Sequence, residues 1–182
     1  MVSANRIKYI DVPSGLTATL AKFAIEKGCR GGLKAKGYGM CQFDLDGRRE
    51  TFRSTSSYLN KEWMDWCMVK FEDTNGSDRT YPCQILGIVK FQPGCIAGVS
   101  GIHFVVRSCR DSLSMTALED KFVCQMKLGC GRFNYNVVPV QSIAYPLLVY
   151  KNAGGSALEH FCALPKRKWG RYFGREILRQ NN

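Results

Sequence analysis

The chain has 182 residues, 45% of them apolar and 12% aromatic, enough to bury a sizeable core and to exclude wholesale disorder. Lys and Arg number 26 against 15 Asp and Glu, a formal charge of +11 that favours anionic partners, either nucleic acid or an acidic protein. No stretch approaches the length of a membrane span, and M-V-S-A-N-R-I-K-Y lacks the apolar centre of a secretory signal, so an intracellular domain with no membrane partner is expected.

Residues 16–27 place Leu16, Leu20, Phe23 and Ala24 at helical spacing, with Ser14 or Thr17 as cap and Gly28 as stop. The run C-R-G-G-L-K-A-K-G-Y-G, Cys29 to Gly39, is rich in glycine and cations. It reads as a flexible connector rather than a phosphate loop, because it lacks the G-x-x-x-x-G-K-S/T pattern. Tyr38 to Leu45 alternates as a strand, Asp46-Gly47 turns the chain, and Arg48 to Ser54 returns as an edge-like strand. The S-T-S-S segment at 54–57 marks a boundary.

Beyond it lie two long apolar runs, W-M-D-W-C-M-V-K-F-E at 63–72 and Y-P-C-Q-I-L-G-I-V-K-F at 81–91. Asn75-Gly76 between them is a hairpin signal, so the runs are expected to pair. Further strands are expected at 102–107, 121–128, 135–140, 147–150 and 160–164, with glycine and proline between them, while D-S-L-S-M-T-A-L-E-D at 111–120 reads as one helical turn. Pro165 to Arg175 mixes cations with aromatics. Trp169, Phe173 and Ile177 recur at steps of four, which predicts a short basic C-terminal helix over 168–179.

The nine cysteines stand at 29, 41, 67, 83, 95, 109, 124, 130 and 162, with no C-x-x-C spacing. Several sit among apolar residues, where free cysteine packs as a small hydrophobe, as expected of a reduced protein. A zinc site would have to gather the scattered Cys124, Cys130, Cys162 and His160, so neither metal nor cofactor is expected.

From Asp65 onward the order of features resembles a bromo-adjacent homology (BAH) domain, a β-rich chromatin-reading barrel. The resemblance rests on D-W-C-M-V-K-F, Y-P-C-Q-I-L-G-I-V, V-P-V-Q-S-I from Val138 to Ile143, P-L-L-V at 146–149 and H-F-C-A-L-P at 160–165. It implies chromatin as partner and the nucleus as compartment. An acidic cluster and an aromatic cage, which such readers carry, are not evident here. Region 58–91 is also similar to an uncharacterised group of proteins from single-celled algae, some derived from mobile elements.

Lys166, Arg167, Lys168, Arg171, Arg175 and Arg179 supply cations for phosphates, while Trp169 and Tyr172 offer rings for stacking or anchoring. Arg48, Arg49 and Arg53 extend the positive surface. Trp63, Trp66, Tyr81 and Phe104 offer an aromatic box for a cationic ligand, against which core packing is favoured. Strand alternation puts Cys67, Val69 and Phe71 in the core and leaves Trp66 with Met68 and Lys70 nearer solvent, so Trp66 is the ligand-binding candidate. No catalytic residues are assigned. A Cys–His pair such as Cys162 with His103 offers a nucleophile and a base, as any chain with nine cysteines does, and the carboxylates are too sparse for a two-metal nuclease.

The expected fold is mainly β (α+β), a small barrel or sandwich with an N-terminal helix and a basic C-terminal helix. Residues 1–57 would form a helix-plus-hairpin addition, 58–165 the barrel-like domain and 166–182 the basic tail. The expected function is non-enzymatic binding of DNA, RNA or chromatin. Alternatives are a subunit of an assembly, either coat-like or ribonucleoprotein, a surface for an acidic protein, and a Cys/His enzyme.

Overall fold

The computed structural model describes residues 8–10, 12–29, 34–45, 47–58, 61–72, 76, 78–108, 114–118, 121–128, 134–151 and 159–165. A first strand, β1 (Lys8–Ile10), precedes a 3-10 turn at Ser14–Leu16 and the helix α1 (Thr17–Glu26). Neither Ser14 nor Thr17 caps this helix. Leu16 holds the cap position without a side-chain bond, and the Thr17 hydroxyl donates to the Ser14 carbonyl at 2.8 Å. The turn continues directly into the helix, so it replaces the capping side chain. At the other end Gly28 takes a φ of 70°, a left-handed conformation that only glycine adopts without strain. The Gly28 and Cys29 amides then reach the Ile25 and Ala24 carbonyls at 3.0 and 2.9 Å, the paired closure of a Schellman motif.

Next come β2 (Lys34–Tyr38), β3 (Met40–Leu45), β4 (Arg48–Tyr58), β5 (Lys61–Met64), β6 (Trp66–Glu72) and β7 (Asp78–Phe91). The remaining strands are β8 (Ile102–Ser108), β9 (Ser114–Leu118), β10 (Lys121–Leu128), β11 (Asn134–Pro139), β12 (Ile143–Lys151) and β13 (Glu159–Pro165). The molecule is mainly β, as the sequence predicts, and β6 and β7 pair antiparallel through Cys67 opposite Cys83. Three expectations need correction. Lys34 to Tyr38 is a strand, not a connector. Arg48 to Arg53 pairs with β3 alone, as an edge-like strand does, but 54–57 is no boundary, since it lies inside that same strand, where β5 joins from Ser54. The helical turn expected within 111–120 is the strand β9, whose Leu118 pairs with Lys121, because a ladder of hydrogen bonds overrides local helix preference.

The strands form a ten-stranded sheet, running β1-β2-β7-β6-β12-β13-β10-β9, and a three-stranded one, β3-β4-β5. Strand β7 is the hub. One edge pairs with β8, and the other pairs with β6 over its first half and with β2 over its last residues. The register shifts between Ile85 and Gly87, a bulge that bends the strand where its partner changes. A Cβ at Gly87 would lie 2.4 Å from Leu16 Cδ1, so any larger residue there would push the Leu16 side chain aside.

Alternation sends side chains of β7 and β8 to two cores. Val89, Phe91 and Val105 pack with Leu16, Leu20 and Ala24 of the helical segment. Ile85, Ile88, Phe104 and Val106 pack with Cys67, Val69 and Phe52, the last contributed by the three-stranded sheet. Around β7 and β8 the large sheet is thus covered by a helix on one face and the small sheet on the other. Phe52 is fully buried, its ring stacked on Phe43 at 5.2 Å and tilted against Phe104 at 5.6 Å.

His103 is 3% exposed, packed against the stacked rings of Phe23 and Phe91 on the helix side. Burial pushes its pKa below the ordinary 6.5, partly offset by the Gly101 carbonyl. A histidine kept neutral in the folded state destabilises it as pH falls, because the unfolded chain takes up the proton first. Stability should therefore be complete above about pH 6.5 and decline below it, levelling off beneath the folded-state pKa. Denaturant melts of the wild type and His103→Phe across this window should diverge toward acid. Parallel curves would contradict the assignment.

Candidate nucleic-acid interface

Strand β2 alternates exposed Lys34, Lys36 and Tyr38 with buried Ala35 and Gly37. Ala35 packs under the helix, so the charged side faces away from it. Lys36 lies directly across from Lys90 of β7, which is also exposed. Neighbouring β1 places Lys8 beside Lys34. Like charges directly opposite one another repel, so the pairing of β2 with β7 holds Lys36 against Lys90 at a cost in stability. Among the described residues Lys34, Lys36 and Lys90 have no ion-pair partner. The Lys36 ammonium sits 5.6 Å from the centre of the Tyr38 ring, joining cation and aromatic face into one unit. Lys34, Lys36, Tyr38, Lys90, Gln92 and Pro93 border a shallow depression of about 230 Å³.

The exposed stripe continues through Gly39 into β3, where Met40, Gln42 and Asp44 face outward and Cys41, Phe43 and Leu45 face inward, as the sequence predicts. Met40 is 52% exposed beside Tyr38 at 36%, an apolar shelf next to the lysines. Of the arginines read from the sequence, Arg49 pairs in register with Asp44, Arg53 with Met40 and Arg48 with Leu45. Arg48 and Arg49 are exposed and Arg53 is half-buried. Asp44 opposite Arg49 offsets one positive charge, so this sheet is less cationic than β2.

Asp65 builds the corner joining the two sheets. Its carboxylate accepts the Arg53 amide at 2.7 Å, its amide donates to the Arg53 carbonyl at 3.0 Å, and its carbonyl accepts the Ile85 amide at 2.9 Å. Burial and that nearby carboxylate push the Cys41 thiol up to about 11 from 9.0. At pH 8 this leaves about 100-fold less thiolate than an ordinary cysteine. Iodoacetamide should therefore modify Cys41 far more slowly in the folded chain than in urea, the folded rate climbing tenfold per pH unit toward pH 11. Peptide-resolved mass spectrometry would show this, and equal rates in the two states would contradict it.

Lys166, Arg167, Lys168, Trp169, Arg171, Tyr172, Arg175 and the helix predicted over 168–179 lie outside the described residues. Trp66 is a correction. It is 8% exposed and Met68 5%, so both faces of β6 are covered there and alternation alone does not tell which residue meets solvent. Trp66 does not join Tyr81 and Phe104 in a box, since those two belong to the core on the small-sheet side while Trp66 stands in the row of Gln84 on the other face; the Trp63 side chain lies outside the described residues. His103 and Cys162 stand four strand steps apart, β8-β7-β6-β12-β13, which is roughly 19 Å of sheet. No cluster of metal-ligating side chains occurs among the described residues. Cys124 lies across from Ala163 and Cys162 from Gln125, one residue out of step, and Cys130 falls outside the described residues.

The sequence reading missed Lys34, Lys36 and Lys90. The signal was present as K-A-K-G-Y, cations alternating with residues small enough to pass beneath a helix. Among the described residues no helix is long and apolar enough to cross a membrane. No protein-family model, curated protein or solved structure matches the chain.

Proposed function

We propose that the protein binds nucleic acid without catalysing a reaction on it, using the lysine–tyrosine face of β2 and β7, and that it prefers unpaired strands to duplex. The observation that carries this reading is Lys36 held directly across from Lys90, with Lys34 alongside and Tyr38 under the Lys36 ammonium. A polyanion threading this face relieves the repulsion between the lysines and releases its own condensed counterions. Tyr38 and Met40 give a base a surface to stack on, which duplex bases cannot use. The net charge of +11 and the cation-rich run from Lys166 to Arg175 add attraction without sequence preference.

Fluorescence anisotropy of a short labelled single strand and of its duplex, across a salt series, tests this. Affinity for the single strand should be higher and should fall with salt at a log–log slope of about −0.7 per phosphate contacted. Absent or salt-insensitive binding at low salt would overturn the proposal. A Cys/His enzyme finds no comparable support, because His103 is buried against two stacked phenylalanines.

A further inference from the structure

The register aligns Trp66 of β6, Gln84 of β7, Arg107 of β8 and Tyr135 of β11 in one row across four adjacent strands. Gln84 and Arg107 alternate with Cys83, Ile85 and Val106 of the small-sheet core, so they face the helix side. The helical segment covers the neighbouring rows through Leu16 and Leu20 but leaves Gln84, Arg107 and Tyr135 bordering a cleft. That cleft has a volume of about 690 Å³, within the range of small-molecule sites. Ser54 and Thr55 bring hydroxyls to it, and Leu16, Met64 and Leu86 an apolar wall.

Two features give the cleft a chemical preference. Among the described residues of the lining, Arg107 is the one that carries a formal charge, and none of them is a carboxylate. Its guanidinium also donates to the Gln84 side-chain carbonyl, which holds the planar fork in place on the cleft floor. A fixed guanidinium matches the two oxygens of a carboxylate or phosphate. Tyr135, 46% exposed at the rim, adds an aromatic face above the apolar wall.

We infer that this cleft binds a small aromatic oxyanion, its acid group on Arg107 and its ring between Tyr135 and the wall of Leu16, Met64 and Leu86. The site is separate from the lysine face and does not depend on nucleic-acid binding. Phenyl phosphate and benzoate are the probes, with inorganic phosphate and phenol as controls lacking the ring or the charge. They would be titrated at physiological salt while the Arg107 Nε–H and Thr55 amide signals are followed by NMR.

At least one aryl anion should shift both signals saturably and bind at least tenfold more tightly than either control. Arg107→Gln should abolish the effect. Tyr135→Ala, at an exposed position that leaves the fold intact, should weaken aryl-anion binding at least threefold without changing any response to inorganic phosphate. Aryl anions binding no better than phenol or phosphate, or unchanged binding in Tyr135→Ala, would overturn the inference even if Arg107→Gln does not fold.

Discussion

Replacing Lys34, Lys36 and Lys90 together by alanine should lower single-strand affinity by roughly two orders of magnitude at about 0.1 M salt and flatten the salt slope by about 2. Three phosphate contacts at about 0.7 counterions each give that change. All three side chains are exposed, so thermal stability should hold or rise as the Lys36–Lys90 repulsion disappears. Anisotropy and a thermal melt on the same preparation separate the effects. Lost affinity with an intact melt supports the interface, whereas unchanged affinity moves the binding to the cations beyond Pro165. Tyr38→Ala should weaken single-strand binding by about 1–3 kcal/mol while barely affecting the slope, since stacking releases no counterions.

Phe52→Ala should destabilise the fold by about 3–5 kcal/mol, the range for deleting a fully buried phenylalanine. For a chain of this length that lowers Tm by roughly 6–20 °C. Phe52 contacts both Phe43 of its own sheet and Phe104 of the large one, so the loss falls on the contact between layers. Phe52→Leu keeps much of the volume and should cost less. Calorimetry reads both changes, and a shift of only a degree or two for the alanine variant would mean the small sheet is not held through this ring.

Much of this organisation is legible in the residues. The helix is written in Leu16, Leu20 and Ala24 and its end in Gly28. The β6–β7 hairpin is written in two apolar runs around Asn75-Gly76. These signals are local, depending on spacing and on the backbone freedom of glycine, and local signals survive without knowledge of the fold. Strand β9 is not legible in this way, because S-M-T-A-L carries little β preference of its own and its pairing with β10 decides its state.

By itself, then, the sequence determined a β-rich chain with one early helix, a positive charge and inward-facing alternate residues. Tertiary structure decided which cations meet. Lys36 and Lys90 are far apart in the chain and become partners only when β2 pairs with the end of β7. Tertiary structure also decided that Trp66 is buried, because covering the second face of a sheet is a property of its neighbours and not of its own alternation. The row of Gln84, Arg107 and Tyr135 has the same origin. Register across three strands sets it, and no periodicity within any one strand records which residue will stand opposite.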